Sequence, residues 1–147
     1  MKIGITNDHR GVKVKQFLTE YLEELGYTII NYGTNSTEPA DFPDYAKKLG
    51  DGVLNKEVDL GIAICGTGIG MSIALNKMKG IYCAKVSTVS EATLSKAHND
   101  ANVIAISEEM DKETMKEVIQ KFIETPFTNI DRYIIRNNKI KAIEADV

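Results

Sequence analysis

The residues best placed to do chemistry are Cys65-Gly66-Thr67-Gly68-Ile69-Gly70-Met71-Ser72. Glycines at 66, 68 and 70 let the backbone turn tightly and present its N–H groups, and a helical pattern follows at once. Such a turn is an anion cradle, with the positive end of a helix dipole behind it. A thiol at its lip has its thiolate favoured by the same groups, which makes Cys65 a candidate base or nucleophile. The spacing is neither the G-x-G-x-x-G of dinucleotide folds nor the G-x-x-x-x-G-K-[ST] of nucleoside triphosphatases, so neither cofactor follows from it. Glycines after a strand also serve plain turn chemistry, and a free cysteine commonly behaves as a small buried hydrophobe.

The elements that must hold this loop can be read on either side of it. Leu60-Gly61-Ile62-Ala63-Ile64 is short, apolar and uninterrupted, as a parallel strand buried on both faces should be. Before it, Lys2 to Thr6 forms a first strand that ends in Asn7-Asp8-His9-Arg10-Gly11. Val14, Phe17, Leu18, Tyr21, Leu22 and Leu25 then recur at helical steps up to Gly26, a C-cap glycine. Tyr27 to Tyr32 is a second strand, Asn35 to Pro43 a polar loop, and Tyr45, Ala46, Leu49 and Val53 mark a second helix.

Beyond the glycine loop the alternation continues: helix from Ile69 to Lys77, strand from Ile81 to Val86, helix from Ser90 to Ala97, strand from Asn102 to Ile106. Met115, Val118, Ile119, Phe122 and Ile123 give another helix an apolar face, Pro126 ends it, and a last helix runs on from about Asn129. Regular alternation predicts an α/β fold: a three-layer Rossmann-like sandwich with a five-stranded parallel sheet and a C-terminal helix. Sites in such sheets lie at the carboxyl ends of the strands, so Asp8, His9 and the Cys65 to Gly70 loop should share a crevice, with the loop after the fourth strand a further candidate.

The chain has 147 residues and 43% hydrophobic content, which fits one domain spanning 1–147. Its formal charge of -3 and pI near 5.4 give no broad basic field, which argues against nucleic acid and acidic membrane surfaces as partners. No stretch approaches the apolar length of a membrane span or a signal peptide, and a cytoplasmic protein is expected. Cys65 and Cys83 lack metal spacing and sit in or beside strands, so neither a disulfide nor a metal site is expected.

Four segments together resemble the ribose-5-phosphate isomerase B family, which includes galactose-6-phosphate isomerase subunits. They are Asn7-Asp8-His9-Arg10-Gly11, Asp41-Phe42-Pro43-Asp44-Tyr45-Ala46, Ile64 through Ser72, and His98-Asn99-Asp100-Ala101-Asn102-Val103. The resemblance implies interconversion of an aldose phosphate and its ketose through an enediolate, without cofactor or metal, in the pentose phosphate pathway. It also implies homodimers, with pairing of dimers left open, whose sites draw on both subunits.

By that resemblance Cys65 is the proton-transferring base, Thr67 orients it, and Asp8 and His98 open the sugar ring. His9 serves the phosphate end, Asn99 the sugar hydroxyls, and Gly66, Thr67, Gly68, Ile69 and Gly70 the developing oxyanion. Arg132 and Arg136 grip the phosphate, reaching a site in the partner subunit. Read singly, Asp8 and His98 could merely cap helices, Ser72 is best taken as a helix cap, and the two arginines could line a solvated helix face.

The chain departs from the family pattern at several positions. Arg10 stands where a small residue is usual, Glu109 where many members have arginine, and Ser90 where an aromatic residue is common. Ile130-Asp131-Arg132-Tyr133 replaces the usual Gly-Gly-Arg-His. Arg10 either restores positive charge that Glu109 removes or is an ordinary exposed residue at a helix start. Ribose 5-phosphate is the default substrate. A six-carbon aldose phosphate (allose 6-phosphate or galactose 6-phosphate), a non-catalytic sugar-phosphate-binding protein, and a thiol redox protein are the alternatives.

Overall fold

The structure is a computed structural model that describes residues 1–146. Five parallel strands lie in the order β2-β1-β3-β5-β4, with β1 at Lys2–Asn7, β2 at Thr28–Asn31, β3 at Leu60–Cys65, β4 at Cys83–Lys85 and β5 at Val103–Ser107. The helices are α1 (Val12–Glu24), α2 (Phe42–Leu54), α3 (Ile69–Asn76), α4 (Val89–Ala97), α5 (Lys112–Glu124) and α6 (Asp131–Ala145). The three-layer parallel sandwich read from the sequence is therefore what the chain forms.

Each central strand is apolar on both faces because both are covered. Ile62 and Ile64 of β3 point with Ile3, Ile5, Ile104 and Ile106 into a core closed by Leu18 and Leu22 of α1 and Val118, Ile119 and Phe122 of α5. Ala63 and Cys65 point the other way, with Val103 and Ala105, toward Leu49 of α2 and Met71 and Leu75 of α3. Small residues on that second face let helices approach closely. A Cβ on Gly4 would lie 2.7 Å from the Leu49 side chain, so Gly4→Ala would force that side chain of α2 to shift.

The boundaries differ from the sequence reading in detail. β2 and β4 are shorter than the apolar runs that suggested them, since edge strands pair on one side only. Gly26 ends the first helical segment at φ +94°, as expected of a C-cap glycine. A 3-10 turn at His9–Gly11 precedes α1 and has no periodic signature in so few residues. Pro43 sits in the first turn of α2 rather than in the loop, where its missing N–H costs nothing. Ser72 lies inside α3, whose N-cap is Gly68, so it caps nothing; its hydroxyl instead hydrogen-bonds the Cys83 thiol. Among the described residues no helix is long and apolar enough to cross a membrane.

Candidate active site

The chain leaves β1 toward β2 on one side of the sheet and returns to lay β3 on the other, so a crevice opens between the carboxyl ends of β1 and β3. Asp8 and Cys65 are the residues at that switch point. The two loops are joined directly, with Asp8 N–H donating to Ile64 O at 3.3 Å. Cys65 is buried, and its Sγ accepts from the N–H of Gly68 at 3.0 Å. The loop can fold back this far because Gly68 has φ +84°, a conformation that opposes a side chain. A Cβ there would also lie 3.0 Å from the backbone of Ile106.

The rest of the cradle is held as tightly. Thr67 Oγ1 accepts from Ile69 N–H at 3.1 Å, which orients the turn into α3. Gly70 is covered by the Phe42 ring, 2.8 Å from where its Cβ would be. Ser107 Oγ donates to Gly66 O at 2.7 Å, and Glu108 N–H donates to Cys65 O at 2.9 Å. The loop that closes on the cradle is thus the one after β5; the loop after β4, suggested by the sequence, makes none of these bonds. Ser107 and Glu108 were invisible as site residues, because only the strand order brings β5 beside β3; Phe42, quoted among the matching segments, carried no sign that its ring covers Gly70.

Asp8 is buried and caps the 3-10 turn, its Oδ1 accepting from Arg10 N–H at 3.0 Å. His9 follows, with Nδ1 accepting from Ala40 N–H at 3.0 Å, so a neutral ring carries its hydrogen on Nε2. Arg10 does not stand as a free cation. Its guanidinium lies against Gly66 and pairs with Glu108 at 2.9 Å and Glu109 at 3.7 Å. The charge it brings lies against those carboxylates, one of them the Glu109 whose charge it was expected to offset.

The remaining expected site residues lie at the other edge of the sheet. His98 is the C-cap of α4, and Asn99 follows it ahead of β5, near the start of β3. Within one chain, the length of β3, roughly 17 Å, separates that edge from Cys65. Arg132 and Arg136 are exposed on the first turns of α6, and that helix packs beside His98. The His98 and Tyr133 rings stack with centroids 4.5 Å apart. Asn137 donates to both His98 O at 2.8 Å and Tyr133 O at 2.9 Å, and accepts from Asn99 Nδ2 at 3.2 Å. The capping role for His98 is therefore real, and it leaves the imidazole itself available.

A family model described as ribose/galactose isomerase matches residues 3–140. The chain belongs to the ribose/galactose isomerase family. It is 45% identical over 104 residues to ribose-5-phosphate isomerase B of Escherichia coli, covering 71% of this chain and 70% of that one. It is 40% identical over 140 residues to a Rickettsia conorii protein named, provisionally, only as a sugar phosphate isomerase, covering 95% and 96% of the two chains.

Among solved structures, ribose-5-phosphate isomerase B of Clostridium thermocellum superposes with TM-score 0.96 at 37% identity over 99% of both chains. The Mycoplasma genitalium enzyme, solved with bound ribulose 5-phosphate, gives TM-score 0.92 at 32% identity over 99% of this chain and 97% of that one. Family membership establishes the sugar phosphate isomerase class and leaves the sugar to be argued.

Proposed function

We propose that this family member interconverts ribose 5-phosphate and ribulose 5-phosphate, as a cytoplasmic homodimer with two shared sites. The observation that carries the reading is the Cys65 sulfur at the β1/β3 switch point, held by the Gly68 N–H inside the glycine loop.

In the forward direction His98 and Asp8 open the furanose by moving a proton from the ring hydroxyl to the ring oxygen. Cys65 thiolate then takes the proton from C2, breaking that C–H bond, while negative charge passes to the aldehyde oxygen. Amides of the Gly66 to Gly70 loop other than those of Gly68 and Ile69, which are bonded within it, stabilise that charge. The resulting thiol returns the proton to C1, a proton shifts from the C2 hydroxyl to the C1 oxygen, and the ketose results. No electron leaves the sugar, so no cofactor is required. Arg132 and Arg136 hold the phosphate with charge-assisted hydrogen bonds, and Asn99 and His9 hold the hydroxyl and phosphate ends.

The edge-to-edge separation makes two copies necessary in this reading: His98, Asn99, Arg132 and Arg136 of one protomer serve Cys65 of its partner. Exposed apolar side chains support the pairing. α6 buries none of its residues and exposes Ile135 and Ile143 at 54% and 69%, while α3, beside the cysteine loop, exposes Ile69 and Ile73 at 54% and 59%.

The test is isomerisation of ribose 5-phosphate beside allose 6-phosphate and galactose 6-phosphate by the purified chain. Turnover of ribose 5-phosphate with the highest kcat/KM is the expected result. Turnover confined to a six-carbon sugar keeps the mechanism and changes the substrate. Binding of all three without turnover reduces the chain to a sugar-phosphate-binding protein.

A further inference from the structure

His98 is a C-cap residue, and a half-buried side chain at a helix end ordinarily keeps rotamer freedom that a proton-transferring group must give up. Tyr133 removes that freedom. The two rings stack at 4.5 Å with an interplanar angle of 23°, inside the range of favourable aromatic pairs. The backbones beneath them are clamped as well, because one Asn137 amide donates to the carbonyls of both residues.

The same tyrosine meets a cation. The Arg132 guanidinium carbon lies 5.0 Å from the Tyr133 ring centroid, with Nη2 3.5 Å from the phenol oxygen. One ring therefore touches both a candidate proton-transferring group and a candidate phosphate-binding group.

We infer that Tyr133 is a positioning residue, whose ring fixes the His98 imidazole for opening the closed sugar and holds the Arg132 guanidinium beside it. The inference rests on the proposed function for its consequence in catalysis, and on geometry for the contact. It implies a directional signature. Only the aldose phosphate begins as a ring, so a loosened His98 slows conversion of the aldose, while the acyclic ketose reaches the enediolate without it.

The experiment compares wild type, Tyr133→Ala and Tyr133→Phe in both directions, and follows the His98 ring protons by nuclear magnetic resonance. Tyr133→Ala is expected to lower kcat from ribose 5-phosphate about two- to tenfold, the worth of a lost aromatic pair, with a smaller fall from ribulose 5-phosphate. Tyr133→Phe keeps the ring and should recover most of the loss. The His98 resonances, displaced by the neighbouring ring in wild type and Tyr133→Phe, should move in Tyr133→Ala.

Equal loss of kcat in both directions, or a Phe variant as impaired as Ala, would overturn the inference, and so would His98 resonances that stay where they are in Tyr133→Ala. If wild type turns over no sugar phosphate, the proposed function fails instead, and the resonance comparison alone decides whether Tyr133 holds His98.

Discussion

At the carboxyl edge of the sheet nearly every polar group near Cys65 is answered inside the chain: Gly68 N–H on the sulfur, Glu108 N–H on its carbonyl, Ser107 Oγ on Gly66 O, Asp8 on the turn that follows it. At the amino edge His98 and Asn99 are tied to α6, a helix that buries nothing and turns arginines and isoleucines to solvent. In the proposed reading the carboxyl edge serves as the cradle for the reacting carbon, and the phosphate end falls to a second copy. The amino edge gathers the His98 imidazole and the Arg132 guanidinium around the Tyr133 ring, on a helix with no buried residue. A base needs fixed geometry, which buried loops supply, whereas groups that grip a phosphate can be lent by a second copy across a two-fold axis.

The largest expected effect tests that division of labour. Cys65→Ala should lower kcat about 10²- to 10⁴-fold, the usual worth of a positioned acid or base, while folding is kept. His98→Ala should be impaired as well. If the two edges belong to one site across the dimer, mixing equal amounts of the two variants and allowing subunits to exchange should restore about a quarter of wild-type activity, because half the dimers are mixed and each carries one intact site. No recovery after proven exchange would mean that each chain builds its own site, and the comparison would collapse.

A smaller effect probes how rigid the cradle is. Gly68→Ala puts a side chain on a residue at φ +84° and against the Ile106 backbone, costing about 1–2 kcal/mol for the left-handed conformation alone. Chemical denaturation would read that loss. Turnover should fall further than stability alone explains, because the N–H that meets Cys65 Sγ belongs to this residue. A variant with lowered stability and unaltered kcat would show that the bond is structural only.

How much of this could be read from the chain differed between the two edges in the same way. The carboxyl edge was legible because its signals are local: an apolar run, then Cys65 and alternating glycines, with Asp8 closing the neighbouring strand. Its outer wall was not, since Ser107 and Glu108 join it only through the β3/β5 pairing, which no short window reveals. At the amino edge the helical spacing of Arg132 and Arg136 was visible. The link from Asn137 and Tyr133 to His98 was not, because it crosses from α6 to α4 over a long sequence separation.

The two cysteines sharpen the contrast by a pH measurement. Half-buried Cys83, at the start of an edge strand, has burial pushing its thiol up to about 12 from an ordinary 9.0, against a weaker opposing bond from Ser72. The folded chain thus holds this proton where the unfolded chain has released it. Its stabilising effect is full below about pH 9 and is lost as pH rises toward about 12. Tyr32, raised to about 12 by burial and by Glu57, acts in the same sense above pH 10, and Lys15, lowered by burial, in the opposite one. Denaturation midpoints from pH 8 to 11 should fall less steeply for Cys83→Ala than for wild type. Parallel slopes would show that the thiol is not buried as described.

The smallest effect is expected at Arg10. If Arg10 supplied phosphate-binding charge, its removal would raise KM for a sugar phosphate by about tenfold or more, the cost of a lost charge-assisted hydrogen bond. The guanidinium is instead half-exposed and committed to Glu108 and Glu109, and pairs of that kind contribute about 0.2–1 kcal/mol. Arg10→Ala should therefore leave KM nearly unchanged and lower the unfolding free energy by no more than that amount. Glu109→Ala provides the control, because it removes a carboxylate from the cradle's rim while the shorter Arg10–Glu108 pair remains. A large KM increase in Arg10→Ala together with a KM decrease in Glu109→Ala would mean that the arginine leaves its carboxylates when substrate arrives. The phosphate would then be gripped from the carboxyl edge as well, and the clean separation between the two edges would no longer hold.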